Sequence, residues 1–417
     1  MRQDTGRPNA SVIIPTYNRA PLLRMMLEQL TRQDVPLDSF EVIVSDDGSA
    51  DDTRAVVEEF SGRLRTGYHF QPDQGMRVGL ARNEGARLAT APVLIFLDSG
   101  CMVGPDFVRQ HLAVHADPTQ RRAVIGYAWG YNPMLDPVPG LAEALAELPP
   151  EQVLARFGDD PAMRDVRHPA MEAYDFELAR MPLAWRAFFT NNCSVRAEEY
   201  WAVDGFDESF ELWGAEDLDL GLRLERNGLT LYVARDAWVI EWPHERVMAE
   251  RWQELIANMA RFLRKFPEPA IELGCLVAEQ GEYWRWEQDW LDLQAWARKS
   301  HDVEVADEIA AGLRLAEPGD RVAILGCGGL LPPGVGHAQV ADFDRELLDR
   351  AVQGGADVTG HHAVGVRTVL ADQSVDLVLV TSRLAGLWER WGDSIRAEAH
   401  RIGGRVDVFA DHPNALS

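Results

Sequence analysis

The sequence predicts an α/β protein built on a parallel sheet, because short apolar runs alternate with segments of helical periodicity along its N-terminal part. Three such runs, SVIIP, FEVIVSDDG and PVLIFLDSG, stop at polar or acidic residues: Thr16 to Arg19, Asp46 with Asp47, and Asp98. In sheets of this kind ligands bind beyond the carboxyl ends of the strands. That coincidence marks a site before any motif is considered.

The elements follow in order. Ser11 to Pro15 reads as a buried strand, and Leu23, Met26, Leu27 and Leu30 then recur at helical spacing. A second strand ends at Asp46 and Asp47, a helix is expected over Asp52 to Phe60, and another over Arg77 to Ala89. PVLIFLDSG supplies the next buried strand. Asp-Asp-Gly-Ser after a strand is also a good turn, and Asp98-Ser99-Gly100 reads the same way. Taken together the acids suit a nucleoside diphosphate, which needs acceptors for a base N–H and ribose, and carboxylates for a bridging cation. Arg82 offers a fork of donors to the diphosphate, or is a solvated helix arginine.

Thr190 to Asp217, TNNCSVRAEEYWAVDGFDESFELWGAED, is where the chemistry is expected. Glu216 and Asp217 open a run whose Leu218, Leu222 and Leu224 fit a helical face, so the carboxylates occupy a helix's first turn. Acids are ordinary there as helix caps. Trp213 and Gly214 immediately before them favour a site instead.

Composition narrows the function classes. At 417 residues the chain accommodates two or three domains, and an apolar fraction of 46% is ample for packed cores. A net charge of -25 argues against nucleic acid or an anionic membrane surface as partner. The cysteines, Cys101, Cys193, Cys275 and Cys327, show no CxxC spacing. No signal-type leader opens the chain, and no apolar run approaches the roughly 20 residues of a membrane helix. A cytoplasmic protein without a membrane span is the expectation, and a homo-oligomer is left open.

The ordered motifs SVIIPTYNR, VIVSDDGSADDT, GLARNEGARLA, FLDSG and GFDESFELWGAEDLDLGLRL resemble the signatures of the inverting family 2 glycosyltransferases. The last of them is similar to polypeptide N-acetylgalactosaminyltransferases and chondroitin-polymerase-type enzymes. The resemblance covers about residues 10 to 245. It implies a GT-A nucleotide-diphospho-sugar transferase domain, Rossmann-like with a mixed sheet, and a nucleotide-sugar donor, a UDP-sugar by family. Pro15, Thr16, Tyr17 and Arg19 would line the nucleotide pocket, with Asp46 and Asp47 near base and ribose, and Arg82 and Ser99 in the same donor-binding set. Asp98 would open an Asp-x-Asp motif holding Mn2+ or Mg2+. Asp217 would be the catalytic base, with Glu216 and Trp213 around acceptor and donor sugar. One departure stands out: Gly100 replaces the motif's second carboxylate. His244 falls where N-acetylgalactosaminyltransferase-type relatives place a histidine ligand, so the implied metal set is Asp98 with His244.

The rest of the chain is read more coarsely. The segment from Cys101 to Phe189 is an insertion suited to acceptor recognition, or a cap on the core. Residues 246–316 read as a helical linker, whose tryptophans suit packing better than a sugar platform. Residues 317–417 carry RVAILGCGG, QVADFD, SVDLVLVTSRLAGL and GGRVDVFA, four strands similar to the nucleotide-binding half of class I S-adenosylmethionine methyltransferases. Gly326, Gly328 and Gly329 would stand at the cofactor turn, with Asp342 or Asp344 as the acid. Two prolines in LGCGGLLPPG mark a remodelled loop where a helix should start, and a degenerate docking domain is preferred. The domains are thus 1–245, 246–316 and 317–417.

The reading is a metal-dependent inverting glycosyltransferase acting on a soluble acceptor: a small molecule, glycan or peptide. Its rivals are a nucleotide-sugar-binding scaffold without turnover, and a bifunctional protein with S-adenosylmethionine-dependent methyltransferase activity.

Overall fold

The structure, a computed structural model, describes residues 6–132, 135–243, 248–354 and 357–410, the side chains of 248–250 excepted. The chain divides into two compact units, Met1–Asn258 and Met259–Ser417.

The first unit carries strands β1 (Ala10–Thr16), β2 (Phe40–Asp46), β3 (Thr66–Phe70), β4 (Val93–Leu97), β5 (Cys101–Val103), β6 (Arg122–Trp129), β7 (Asn192–Arg196) and β8 (Thr230–Glu241). Its helices are α1 (Ala20–Leu30), α2 (Thr53–Phe60), α3 (Val78–Leu88), α4 (Phe107–Val114), α5 (Leu141–Glu147), α6 (Pro150–Phe157), α7 (His168–Glu172), α8 (Ala197–Ala202) and α9 (Glu216–Arg226). A longer helix, α10 (Met248–Lys265), spans the division between the units. The helices expected after the second strand and before FLDSG are α2 and α3, within a residue at each end.

All eight strands form one sheet in the order β3-β2-β1-β4-β7-β6-β8-β5. The strands β3, β2, β1 and β4 are parallel, so Thr16, Asp46 and Asp98 come to one edge. Beyond them the sheet is mixed: β7 runs antiparallel to β4 and β6, and β5 antiparallel to β8. Val12, Ile14, Val42, Val44, Ile95 and Leu97 pack with α1 in one core. Alternation puts Ile13, Ile43 and Phe96 on the other face, where α3 comes close enough that a Cβ at Gly85 would lie 2.6 Å from Ile13 Cγ2. Pro15 is tolerated inside the sheet because the β1–β4 ladder ends at Ile13–Phe96, leaving no N–H needed from residue 15.

The second unit holds α11 (Pro269–Glu279), α12 (Trp286–Ser300), α13 (Ala306–Gly312), α14 (Arg345–Gly354) and α15 (Trp388–Ile402) around strands β9 (Val322–Leu325), β10 (Gln339–Asp342), β11 (Thr359–His362), β12 (Val375–Val380) and β13 (Gly403–Val408). The order β11-β10-β9-β12-β13, parallel throughout, is Rossmann-like. The four anticipated strands are present. β11, TGHH, escaped notice because an exposed edge strand needs no apolar alternation. No helix joins β9 to β10, as Pro332 and Pro333 predict. Trp286 and Trp296 are buried and donate to the carbonyls of Ala270 and Arg383 at 2.6 and 2.9 Å, so these tryptophans pack. Glu272 is fully buried and accepts from the backbone N–H groups of Val364, Gly365, Val366 and Arg367, and burial pushes its carboxyl up to about 7.

Candidate active site

The edge where β1, β2 and β4 end gathers most of the residues singled out above. Asp46 is buried; its oxygens accept from Ser49 N at 2.7 Å and Tyr68 Oη at 2.7 Å. Asp47 is buried too and accepts from Gln71 Nε2 at 2.5 Å and Arg77 N at 2.9 Å, while its own N–H donates to Thr16 O at 2.9 Å. Both acids therefore brace the turn. Tyr17 is 48% exposed and its hydroxyl donates to Asp73 at 2.8 Å. Arg19 reaches across to Ser99 O at 2.7 Å and ties the loop after β1 to the loop after β4.

A second cluster lies beside it. Arg82, on α3, is 3% exposed and donates through Nη2 to Asp98 Oδ1 at 2.7 Å and through Nη1 to Glu216 Oε1 at 3.4 Å. Its guanidinium rests 5.1 Å from the centre of the Phe206 ring. Arg82, read as a diphosphate donor or a solvated helix arginine, is buried, and its donors join two carboxylates, one just after β4 and one opening α9. The two acids raise the guanidinium's pKa despite burial. Glu216 is buried and its Oε2 has no partner among the described residues. Asp217 is half-buried; burial and the Glu216 charge push its carboxyl well above the usual range, and Arg82 opposes them.

The loop before α9 is held in place. Asn258 Nδ2 donates to Leu212 O at 2.9 Å and Gly214 O at 2.7 Å, and Trp213 N donates to Glu254 at 3.3 Å. Gly214 has a φ of +91°, and a Cβ there would lie 2.9 Å from Leu255 Cδ1. This places Trp213, half-buried, next to the carboxylates. His244 lies outside the described residues.

The comparisons with known proteins bear on this geometry. Residues 11–166 match glycosyl transferase family 2, and residues 171–246 match the N-terminal domain of galactosyltransferase. The chain is 43% identical over 407 residues to validoxylamine A glucosyltransferase of Streptomyces hygroscopicus subsp. jinggangensis (strain 5008), covering 96% of both chains. The chain belongs to the family 2 glycosyltransferases. It is an enzyme that uses a nucleotide-sugar donor, on a GT-A-like fold. It is also 29% identical to chondroitin synthase of Escherichia coli over 225 residues, 52% of this chain and 32% of that one. Among solved structures, a mannosyltransferase from Pyrobaculum calidifontis in complex with GDP-Man and Mn2+ aligns with a TM-score of 0.44 and 21% identity, covering 75% of this chain and 82% of that one.

In this glycosyltransferase the departure at Gly100 has a backbone reason. Its φ is +108°, and a Cβ would lie 3.3 Å from Arg19 Nη1. An L-residue there is strained by about 1–3 kcal/mol. Gly100→Ala is therefore expected to lower the thermal midpoint by the equivalent of about 1–2 kcal/mol; an unchanged midpoint would show that the turn rearranges freely.

Other residues support this cluster without having stood out in the sequence. Asn83, within GLARNEGARLA, donates to Phe206 O at 2.9 Å and accepts from Phe206 N at 2.9 Å, which sets the ring under Arg82. Arg167 and Asp165, from the insertion, form a fully buried pair at 2.5 Å, and Arg167 lies within the field of Asp217. Their signal was weak, since an acid two residues before an arginine is common on any surface.

In the second unit the residues proposed for a cofactor turn are already occupied. Asp342 is completely buried and accepts from Gly328 N at 2.9 Å and from Arg383 Nε at 2.7 Å. Asp344 accepts from His301 at 2.9 Å. The acid that would take a ribose is neutralised by the chain's own arginine, and the methyltransferase resemblance extends no further than the sheet. No helix among the described residues is long and apolar enough to cross a membrane.

Proposed function

We propose that this glycosyltransferase moves glucose from a nucleotide-glucose, UDP-glucose by family, to a hydroxyl of validoxylamine A with inversion at the anomeric carbon. The observation that carries the acceptor and sugar is the likeness to validoxylamine A glucosyltransferase along 96% of both chains. The geometry is consistent with the chemistry: one carboxylate lies at the strand edge and others open α9, with a buried cation between them.

In this reading the acceptor hydroxyl gives its proton to a carboxylate oxygen of Asp217 as its oxygen bonds to the anomeric carbon from the face opposite the diphosphate. The bond from that carbon to the diphosphate oxygen breaks, and its electron pair leaves with the nucleoside diphosphate. Asp217 must be ionised to do this. Arg82 between Asp98 and Glu216 keeps the donor-side and base-side charges apart. Glu216 and Trp213 would border the acceptor and donor sugar, and Tyr17, Arg19, Asp46 and Asp47 the nucleotide.

No three His, Cys, Asp or Glu side chains gather into a cation site among the described residues. A cation that draws ligands from substrate phosphates needs only one or two carboxylates, and Asp98, 38% exposed at its side chain, fits that requirement. Mn2+ or Mg2+ held there would neutralise charge on the departing diphosphate. We read the second unit as an interaction or acceptor-docking domain without cofactor, on the Arg383–Asp342 pairing.

A thermal-shift panel of UDP, GDP and their glucose conjugates, with and without Mn2+, tests the reading. One nucleotide is expected to stabilise, by about 2.7 kcal/mol at a hundred times its Kd, and more with the cation. S-adenosylmethionine is expected to give no shift. Absence of stabilisation by any nucleotide would sink the donor site, and transfer to validoxylamine A with no change on adding a chelator would remove the metal.

A further inference from the structure

Asn191 lies just before β7, beside the carboxylate cluster, and has no role in the chemistry above. Its side chain is 7% exposed, yet neither Nδ2 nor Oδ1 has a hydrogen-bond partner among the described residues. A buried amide is costly to leave unpaired, so this one calls for a partner beyond the described residues, water or ligand.

Its position follows from strand register. The β4–β7 ladder ends at Leu97–Asn192, and one step further Asp98 N donates to Asn191 O at 3.0 Å. Residues opposite one another in an antiparallel pair project to the same face, which sets Asn191 beside Asp98. Cys193, two residues along and so on the same face, lies within the fields of Arg82, Asp98, Asp217 and Arg167. Asn192, by contrast, faces the other side, where it bonds His111 and Ala237 O. Asn191 therefore belongs to the charged face between the donor-side and base-side carboxylates.

The amide's chemistry selects its ligand. A diphosphate only accepts and would leave Oδ1 unpaired, whereas a cation would take Oδ1 and leave Nδ2 unpaired. Hydroxyls both donate and accept, so a neighbouring hydroxyl pair satisfies both atoms.

We propose that Asn191 binds adjacent hydroxyls of the donor's hexose and sets which sugar the enzyme transfers. This rests on the donor-site reading above. A site that hydrogen-bonds a hydroxyl rejects analogues that misplace it, so the residue governs epimer choice and leaves nucleotide binding alone.

Calorimetric titration of wild type and Asn191→Ala with UDP, UDP-glucose and UDP-galactose, and with the GDP counterparts, tests this. The variant is expected to bind the free diphosphate as wild type does, to bind the glucose conjugate about tenfold more weakly, and to lose discrimination between the epimers. It is expected to melt no lower than wild type, because the amide bonds to nothing among the described residues. Equal weakening for both epimers and the diphosphate, together with a lower melting temperature, assigns Asn191 a structural role and overturns the proposal. Unchanged affinity and epimer choice overturns it as well. In a steady-state transfer assay of the same two proteins, a loss confined to the acceptor's KM moves the hydroxyl chemistry to the acceptor and overturns the donor assignment. If wild type binds no nucleotide, the donor-site reading falls, and this proposal with it.

Discussion

Asp217→Asn is expected to reduce kcat roughly a thousandfold while leaving nucleotide-sugar affinity near that of wild type, because a positioned general base contributes about 10²–10⁴. The amide keeps the shape and the contact with Leu218 N, which Asp217 Oδ1 accepts at 2.9 Å, so the loss reads the proton transfer rather than the fold. The pH profile carries the same information. Burial and the neighbouring Glu216 raise the Asp217 carboxyl, Arg82 pulling the other way. The base works only when ionised, so kcat is expected to fall as pH drops through that raised value, above the roughly 3.9 of a free aspartate. The variant's residual rate should lack this acid limb. Full turnover by the variant would remove Asp217 from the role and turn attention to Glu216, whose Oε2 has no partner among the described residues.

Arg82→Leu is expected to cost about 3 kcal/mol of stability, the lower end of what breaking a buried ion pair costs, since Asp98 retains access to water. For a unit of this size that is roughly 6–12 °C in the unfolding midpoint. Removing the cation leaves Glu216 buried beside Asp98 and Asp217 without the guanidinium that offsets their repulsion. The acid limb of any residual activity should therefore move to higher pH. Arg82→Lys keeps the charge and loses the planar fork, and it cannot span Asp98 and Glu216 together. It is expected to recover stability only in part. Calorimetric unfolding of the three proteins settles this, and a midpoint for Arg82→Leu equal to that of wild type would mean that water already compensates the two acids.

These residues show how unevenly the chain disclosed itself. Asp46, Asp47 and Asp98 were readable because each ends an apolar run, and a strand's end is a local property of the sequence. Glu216 and Asp217 were readable at a helix start for the same reason, and α9 does begin at Glu216. Arg82 was visible as a residue, but which acids it pairs with in the folded chain was not. Its partner Glu216 lies 134 positions away, and a fork of donors suits a carboxylate as well as a phosphate.

By itself, then, the sequence determined the alternation of strands and helices, the family, and the edge at which the acids collect, since apolar periodicity and turn chemistry act over a few residues. The tertiary structure decided what those acids meet. It brought β7 antiparallel against β4, which sets Asn191 across from Asp98. It buried Asp165 with Arg167 out of an insertion that showed no pattern. It also closed Arg383 on Asp342, turning a cofactor-like strand end into a salt bridge. Each of these depends on which segments the fold packs around a polar group, since burial leaves a charge few alternative partners, and no local pattern records that packing.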